Sequence, residues 1–433
     1  MKITVAGAGH GGLAAGALLS KNGHDVTVYE KNDRDSLGHD WEDRFTFSLL
    51  SDITGEEIPD DSWRYRGDCA FVSPSYRTRV VINYTDENRQ KIMQRKTVMK
   101  MLLDFAEKCG VRFRFNTEVL SAVTENGAVT GIRTADGEIL SDLVIDAAGV
   151  FSPVRTSLPD SFNIEKTPSR GDVFYARRAY YNKIGDTVPD IPFEVFLCHN
   201  REQGLSWCCI NRDSVDILIG RIDPPGDDLI NKHLEKFRKD HPCTGETVLH
   251  GGYDGVIPVR RPLSLMVADG YAAVGDSAFM TTPMNGMGID LSLNAGKLLA
   301  ETIGASGKAD IDTLWKYNRD FHLLYGGITS KNEGLKNALL EMPGEGVDFL
   351  FDSAVIQSSD LAGAGSKTSV SSLLGKFVRG MKAPKYFFAL LGGLMKGAKM
   401  KKAFESAPVK YDRDAVNAWQ EAVKSTVLPV TRS

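Results

Sequence analysis

Hydrophobic residues fall in short β-branched runs at the N-terminus and in alternation through the middle of the chain. Ile3–Ala6 is one such run. Leu13–Lys21 is Ala- and Leu-rich at helical spacing and is closed by Asn22-Gly23, and Val26–Tyr29 is a second run. The pattern predicts strand, helix, strand. Asp68–Val72 and Arg79–Tyr84 alternate around Pro74-Ser75 and predict the first hairpin of a second sheet. Ile92, Met93, Val98, Met101, Leu102 and Phe105 share helical spacing, which predicts an amphipathic helix over 87–109 carrying Arg95. Four short alternating segments between 111 and 141 predict a meander with turns at Asn126-Gly127 and Asp136-Gly137. Leu143–Ala147 is then a buried strand.

Further on, Val173–Tyr181, Phe193–His199, Leu205–Ile210 and Val215–Gly220 show period-two stretches and predict a half-exposed antiparallel sheet. A helix is expected over 227–239 and another strand over 247–253. Asp269–Ala278 holds a short buried strand and Ile289–Ile303 a helix, and 312–341 is largely helical. Leu361–Gly375 is Gly- and Ser-rich and is expected to be a mobile linker. The segment 376–404 mixes apolar residues with eight Lys or Arg and no acid, a composition suited to an anionic membrane surface or to a helical cap with a solvated basic face. Pro384 and Gly392-Gly393 are expected to break any long helix there.

The chemistry enters at the first turn. Gly7, Gly9 and Gly12 form G-x-G-x-x-G between the first strand and the first helix, together with His10 and Gly11. Gly7 permits the tight turn, Gly9 lets a pyrophosphate approach the backbone, and Gly12 lets helix and strand pack closely. The helix N-terminus offers free N–H groups and partial positive charge to phosphates. Glu30, followed by Lys31, lies about twenty residues on, where a carboxylate bonds ribose hydroxyls. Ala148-Gly149 follows a second buried strand, and Gly275-Asp276 and Pro283-Met284-Asn285-Gly286-Met287-Gly288 precede a later helix. Three glycine-rich sites of close backbone approach suit one long cofactor, and no second G-x-G-x-x-G exists for a separate nicotinamide domain. FAD is therefore favoured over NAD.

Composition narrows the class. With 433 residues, 42% hydrophobic and 25% charged, the chain reads as a multidomain globular protein. A net charge of −4 argues against nucleic acid as a partner. The six cysteines show no C-x-x-C, no metal set is evident, and a reducing compartment fits. The first strand starts directly after Met1, so no leader is expected, and the expected location is cytoplasmic or peripheral at the inner membrane face.

GAGHGG at Gly7–Gly12, IDAAGVFSPVR at Ile145–Arg155, and DGYAAVGDSA with TPMNGMGI between Asp269 and Ile289 resemble the FAD-dependent geranylgeranyl reductase family. That family lies within the p-hydroxybenzoate hydroxylase-like flavoprotein group. The resemblance runs over about residues 1–330. It implies that Arg95 contacts FAD, that the Val119 backbone meets the adenine, and that Asp276 bonds the ribityl and pyrophosphate region. It also implies that the backbone of Asn285–Gly288 faces the pyrimidine edge of the ring system. Two departures stand out. Ala147-Ala148-Gly149 replaces the Asp-Gly pair of the hydroxylases, and Leu205–Ile210 keeps only Trp207 of the family's Tyr-x-Trp-x-Phe-Pro.

The expected fold class is α/β: a Rossmann-like FAD-binding domain with an inserted antiparallel β-sheet substrate domain and a C-terminal helical region. The expected division is 1–165 and 256–310 for FAD, with the hairpin near 68–84 joining the substrate sheet, 166–255 for substrate, and 311–433 for the helices. The leading function is an FAD-dependent oxidoreductase reducing or dehydrogenating C–C bonds of an apolar prenyl or quinone-like lipid by hydride transfer at flavin N5. The external donor would be NAD(P)H or a reduced protein carrier. The alternative is an FAD-dependent monooxygenase using NAD(P)H and O2. Trp207, Cys209, His39 and Trp41 are the candidates for lining the pocket, each weighed against ordinary packing.

Overall fold

The computed structural model describes residues 1–86, 89–361 and 370–431. Its first sheet has six strands in the order Val267–Ala268, Tyr271–Ala273, Leu143–Asp146, Lys2–Ala6, Asp25–Tyr29 and Arg112–Arg114. All pairings are parallel except at the edge strand Val267–Ala268. Ile3, Val5, Val28, Leu143, Val144 and Ile145 are wholly buried. Continuous apolar runs of this kind fit a parallel sheet covered on both faces. Helices His10–Lys21 and Ile289–Ser306 cross on one side, and two glycines let them touch. A β-carbon at Gly11 would lie 2.7 Å from the Ser292 carbonyl oxygen, and one at Gly296 would lie 3.0 Å from the Ala15 nitrogen.

The second sheet has seven strands in the order Thr244–Pro258, Val173–Lys183, Ser214–Arg221, Gly204–Ile210, Phe193–Leu197, Cys69–Val72 and Arg79–Ile82. Only Cys69–Val72 and Phe193–Leu197 run parallel. Strand parity divides its side chains. Ala179, Tyr181, Cys208, Ile210, Ile217 and Ile219 pack outward under helix Asp227–Asp240 through Ile230 and Phe237. Arg178, Leu218, Trp207, Val195 and Phe71 form one row on the inner face, and Tyr180, Asp216, Cys209, Phe193 and Cys69 form the next.

Between the layers lies a three-stranded sheet ordered Glu42–Arg44, Lys91–Gln94, Trp63–Tyr65. It corrects the helix expected over 87–109. Residues 91–94 pair as a strand, and the helix occupies Arg95–Lys108 with Arg95 as its first residue. The cause is tertiary pairing on both sides of 91–94, which overrides a helical spacing that Ile92 and Met93 share.

Helices fill the C-terminal third. Gly327–Glu341 and Pro384–Glu405 pack backbone to backbone, since a β-carbon at Gly334 would lie 2.7 Å from the Gly397 nitrogen. This corrects the expected break at Gly392-Gly393. The helix runs through both, and Gly393 is buried against Ala338, whose β-carbon would stand 2.6 Å from one added at Gly393. Pro384 occupies the first turn, where its missing N–H costs nothing. The linker expected over 361–375 lies largely outside the described residues. No described helix is long and apolar enough to cross a membrane.

A buried charge layer fastens these helices to the rest. Arg260 binds Glu165 and Asp172, Arg261 binds Glu333, and Lys336 donates to the carbonyls of Gly171 (2.6 Å) and Val259 (2.7 Å).

Gly397→Ala should force the two helices apart, because its methyl would collide with the Lys331 carbonyl. A loss of about 1–3 kcal/mol is expected in urea unfolding, whereas Gly392→Ala, which meets nothing within 4 Å, should be neutral or stabilise by up to about 1 kcal/mol.

Candidate cofactor and active site

The glycine turn is held by what it touches. Gly7 has φ +90°, and β-carbons at Gly7, Gly9 and Gly12 would lie 2.6 Å, 3.0 Å and 2.5 Å from atoms of Ala147. The turn thus lies directly against Ala147-Ala148-Gly149. The Glu30 side chain is buried and accepts from the N–H groups of Ala8 (2.8 Å) and Asn32 (2.9 Å). Its remaining lone pairs are free of any cationic partner among the described residues. The Thr117 N–H donates to the Glu30 carbonyl (2.8 Å), which brings Val119 alongside. Lys31 is exposed next to Glu30.

The later glycine sites converge on the same place. Gly275 has φ +66°, and a β-carbon there would lie 3.1 Å from Ser292 Oγ, beside the contact that Gly11 makes with Ser292. One at Gly288 would lie 3.5 Å from Asp276 Oδ1. Asp276 has no side-chain hydrogen bond among the described residues. Burial pushes its carboxyl up to about 6, opposed by the charge of Arg95. Arg95 Nε bonds Asp43 (2.5 Å). Burial works against the Asp43 carboxylate, but Arg95, Arg178 and His10 together hold its pKa below the usual range. Burial, aided by Arg95, pushes His10 down to about 3 and His39 down to about 4, so both rings are neutral near pH 7. Asp146 beneath Ala148 is wholly buried and accepts from Ser152 Oγ (2.6 Å) and Tyr271 OH (2.9 Å).

At the far end, Thr282–Gly288 forms a closed loop. The Thr282 N–H donates to the Met287 carbonyl (2.9 Å), and Asn285 Oδ1 accepts from the Met287 N–H (3.2 Å) and from Thr282 Oγ1. Gly286 has φ +66°, and a β-carbon there would lie 2.6 Å from Ile257. Pro283 is buried. Gly288 caps helix Ile289–Ser306, and Asp290 in its first turn accepts from Thr46 N–H (2.7 Å) and Oγ1 (3.0 Å). This N-terminus therefore already holds one negative charge.

The seven-stranded sheet faces this cleft with a layer that sequence reasoning only partly found. Trp41 is 2% exposed, stacks on His39 at 4.4 Å, and reaches Gly255, where a β-carbon would lie 2.7 Å from its ring. It anchors its loop in the interior. Arg178 was not singled out, yet it occupies the centre. It forks to Asp216 (2.8 and 2.7 Å), donates to Tyr180 OH (2.7 Å), and lies 5.8 Å from the Trp41 ring and 5.1 Å from the Trp207 ring. The available signal was strand parity: of neighbouring Arg177 and Arg178, one must face inward. Trp207 is half-buried on the inner face. Cys209 is buried two residues on, its thiol pushed up to about 12 by burial and held on Asn211 Oδ1 (3.4 Å), so it is a packed, protonated thiol.

The residues fit an elongated dinucleotide. His10 Nε2, Trp41 Nε1 and Gln94 Oε1 are buried without a protein partner, as Asp276 is without a hydrogen bond. Buried polar atoms are ordinarily satisfied, and a cofactor with phosphates, hydroxyls and a polar ring edge would satisfy these.

Comparison with known proteins agrees with this geometry. The family model described as FAD dependent oxidoreductase matches residues 59–302, more than half of the chain, and that of an NAD(P)-binding Rossmann-like domain matches residues 5–43. The digeranylgeranylglycerophospholipid reductase of Methanothrix thermoacetophila is 25% identical, covering 87% of this chain and 95% of the relative. That of Haloferax volcanii is 23% identical, covering 80% and 91%. A geranylgeranyl bacteriochlorophyll reductase-like structure from Thermoplasma acidophilum shares the fold with a TM-score of 0.72 at 19% identity, covering 90% of this chain and 98% of that one.

Asp276 generates a pH-dependent prediction for the apoprotein. Its folded pKa of about 6 exceeds the ordinary 3.8. The folded state therefore binds more protons than the unfolded one between these values, and stability falls as pH rises from about 4 to about 6. Asp276→Asn should be more stable than wild type by about 3 kcal/mol at pH 7 and equal to it below pH 4, read by urea unfolding.

Proposed function

The chain belongs to the FAD dependent oxidoreductase family, and from that premise we propose that it saturates carbon–carbon double bonds of a prenyl lipid. One observation carries the substrate class. Phe71, Leu197, Leu205 and Trp207 on the inner sheet face, with Leu335 and Leu339 from helix Gly327–Glu341, are all only half-buried and line a continuous apolar wall. The names of the relatives support the same class.

In this reading Gly7, Gly9, His10, Gly11 and Gly12 hold the pyrophosphate, and Glu30, with Lys31 beside it, takes the adenosine ribose. Val119 meets the adenine. Arg95, Ala148, Gly149, Gly275 and Asp276 line the middle of the cofactor, and Pro283, Asn285, Gly286, Met287 and Gly288 lie at its ring. We keep the domain division expected from sequence as part of this proposal, with 166–255 supplying the substrate face, although the strand Thr244–Pro258 runs across its boundary. Bound there, FAD would supply the hydride that a carbon–carbon double bond accepts. Trp207 and Leu205 orient the lipid chain, and the apolar wall excludes water from most of it. Neutral His10 and His39 carry no spare proton near pH 7, and the Cys209 thiol is too weakly acidic to give one up readily, so water entering beside half-buried Trp207 is the proton source. NAD(P)H or a reduced protein carrier supplies the electrons.

The same reading places the basic C-terminal helix against an anionic lipid surface. Lys385, Phe388, Gly392, Met395, Lys399 and Lys402 fall on one face of Pro384–Glu405. Phe388 is 53% and Met395 65% exposed, and the three lysines have no acidic partner among the described residues. Apolar side chains ringed by unpaired lysines suit the headgroup boundary.

Two outcomes test this. Reduced holoprotein incubated without oxygen with a geranylgeranyl lipid should add one H2 per flavin, and one H2 per double bond when excess dithionite keeps the flavin reduced, by mass spectrometry. An unchanged lipid, with a small aromatic acid hydroxylated in air instead, would select the monooxygenase. Cosedimentation with vesicles should be stronger for anionic than for neutral lipid, and Phe388→Ser with Met395→Ser should weaken it by about 10-fold. Equal binding of both vesicle types would remove the role of the lysines, and binding to neither would remove the membrane contact.

A further inference from the structure

The three-stranded sheet turns one face toward the inner face of the seven-stranded sheet. Arg44, Ile92 and Arg64 form a row across it, and the Arg66 N–H extends the pairing to the Gln90 carbonyl (2.8 Å). What these side chains touch belongs to the opposite layer. Arg64 Nη2 bonds Asn211 (2.9 Å), Gln90 Nε2 bonds Tyr84 OH (2.9 Å), and the Arg66 guanidinium lies 4.5 Å over the Phe193 ring.

Where the two sheets meet, two guanidiniums have no ion-pair partner among the described residues, and the acids Asp68 and Asp290 bond neutral groups instead of them. Arg64 is taken by Glu42 (2.8 Å) and Arg178 by Asp216 (2.7 Å). Of the nearby acids, Asp68 accepts from the Tyr84 N–H (2.9 Å) and Asp290 from Thr46 (2.7 Å). Arg44 and Arg66 are both half-buried, and neither has an ion pair or a side-chain hydrogen bond among the described residues. Arg66 Nε is buried with no partner at all. Burial and the charge of Arg66 depress the Arg44 guanidinium, against the pull of Tyr84 and Asp290. Two neighbouring half-buried guanidiniums with no carboxylate in contact hold donors that a ligand with several oxygens would satisfy. Tyr84 OH accepts from Gln90, which leaves its own proton free to donate.

We propose that Arg44, Arg66 and Tyr84 form a subsite for the phosphate or diphosphate group of the substrate. This rests on the prenyl-lipid reading and deepens it. Two guanidinium forks and a hydroxyl suit an anion with several oxygens. Its position agrees with that use. Phe193 lies under the Arg66 guanidinium and packs with Cys209, Trp207 lies against Phe193 (6.0 Å), and Asp290 belongs to the helix that follows the 282–288 loop. Asp43, which bonds Arg95, alternates with Arg44 along its strand, so the subsite lies on the opposite face from the cofactor cluster of His10 and Arg95. An anion held here would place the apolar chain of the same molecule along Trp207.

Equilibrium binding to the oxidised holoprotein tests it with three probes: a C20 prenyl diphosphate, the C20 prenyl alcohol and inorganic pyrophosphate. Wild type should prefer the prenyl diphosphate over the alcohol by about 10- to 100-fold. Arg44→Gln with Arg66→Gln should abolish that preference, leaving alcohol affinity and flavin content unchanged. Arg44→Lys with Arg66→Lys should restore part of it. Equal affinity of wild type for the diphosphate and the alcohol overturns the subsite and leaves the lipid reading standing. Pyrophosphate binding that needs Arg44 and Arg66, with neither lipid bound, keeps the subsite as a free-phosphate site and overturns the lipid reading. Loss of flavin from the Gln variant, with Arg→Lys retaining it, assigns the pair to the cofactor and overturns the proposal.

Discussion

The cleft depends on one set of close backbone approaches. Gly7, Gly9 and Gly12 rest on Ala147, while Gly11 and Gly275 rest on Ser292. No side chain fits at the tightest of these contacts, and none of them is available from a hydrogen-bond ladder alone. They draw together the end of the first strand, the end of the strand Leu143–Asp146 and the start of helix Ile289–Ser306. Three stretches far apart in the chain thereby present backbone N–H groups to one narrow channel. A negatively charged dinucleotide is what such a channel is shaped to hold.

The second sheet answers a different problem. Under the proposed function its inner face holds a lipid chain, yet it buries Arg178, Asp216 and Tyr180 beside the cleft. The forked Arg178–Asp216 pair solves the charge, and two tryptophans flank the guanidinium. Breaking such a pair strands a buried charge, which costs several kcal/mol. The pair therefore sets the orientation of Trp41 and Trp207 more firmly than apolar packing alone would. Arg44 and Arg66, by contrast, have no ion pair among the described residues, which is why we read them as ligand-facing where Arg178 points to structure.

The helical third couples both layers to the outside. Lys336 and Glu333 reach from one helix to the ends of strands that flank the 282–288 loop. The neighbouring helix Pro384–Glu405 packs on it through glycines and turns its lysines outward. A surface that takes up a lipid and a cleft that transforms it would then be joined by one rigid pair of helices.

By itself the sequence determined what local rules govern. The G-x-G-x-x-G turn, the acid after the second strand, the apolar runs of the parallel sheet and the period-two strands of the antiparallel one each follow from backbone freedom or face alternation within a few residues. The family membership was legible for the same reason, since its motifs are such local constraints. Only the tertiary structure decided the rest. Residues 91–94 have helical spacing but pair as a strand, because neighbours on both sides supply hydrogen bonds that no local signal announces. The helix continues through Gly392-Gly393 because the partner helix lies against Gly393 at Gly334 and Ala338. The partners of Arg178, and the lack of partners for Arg44 and Arg66, arise where two sheets meet face to face. Parity says which side chains face inward, but only packing brings the two faces into register and sets which charges meet.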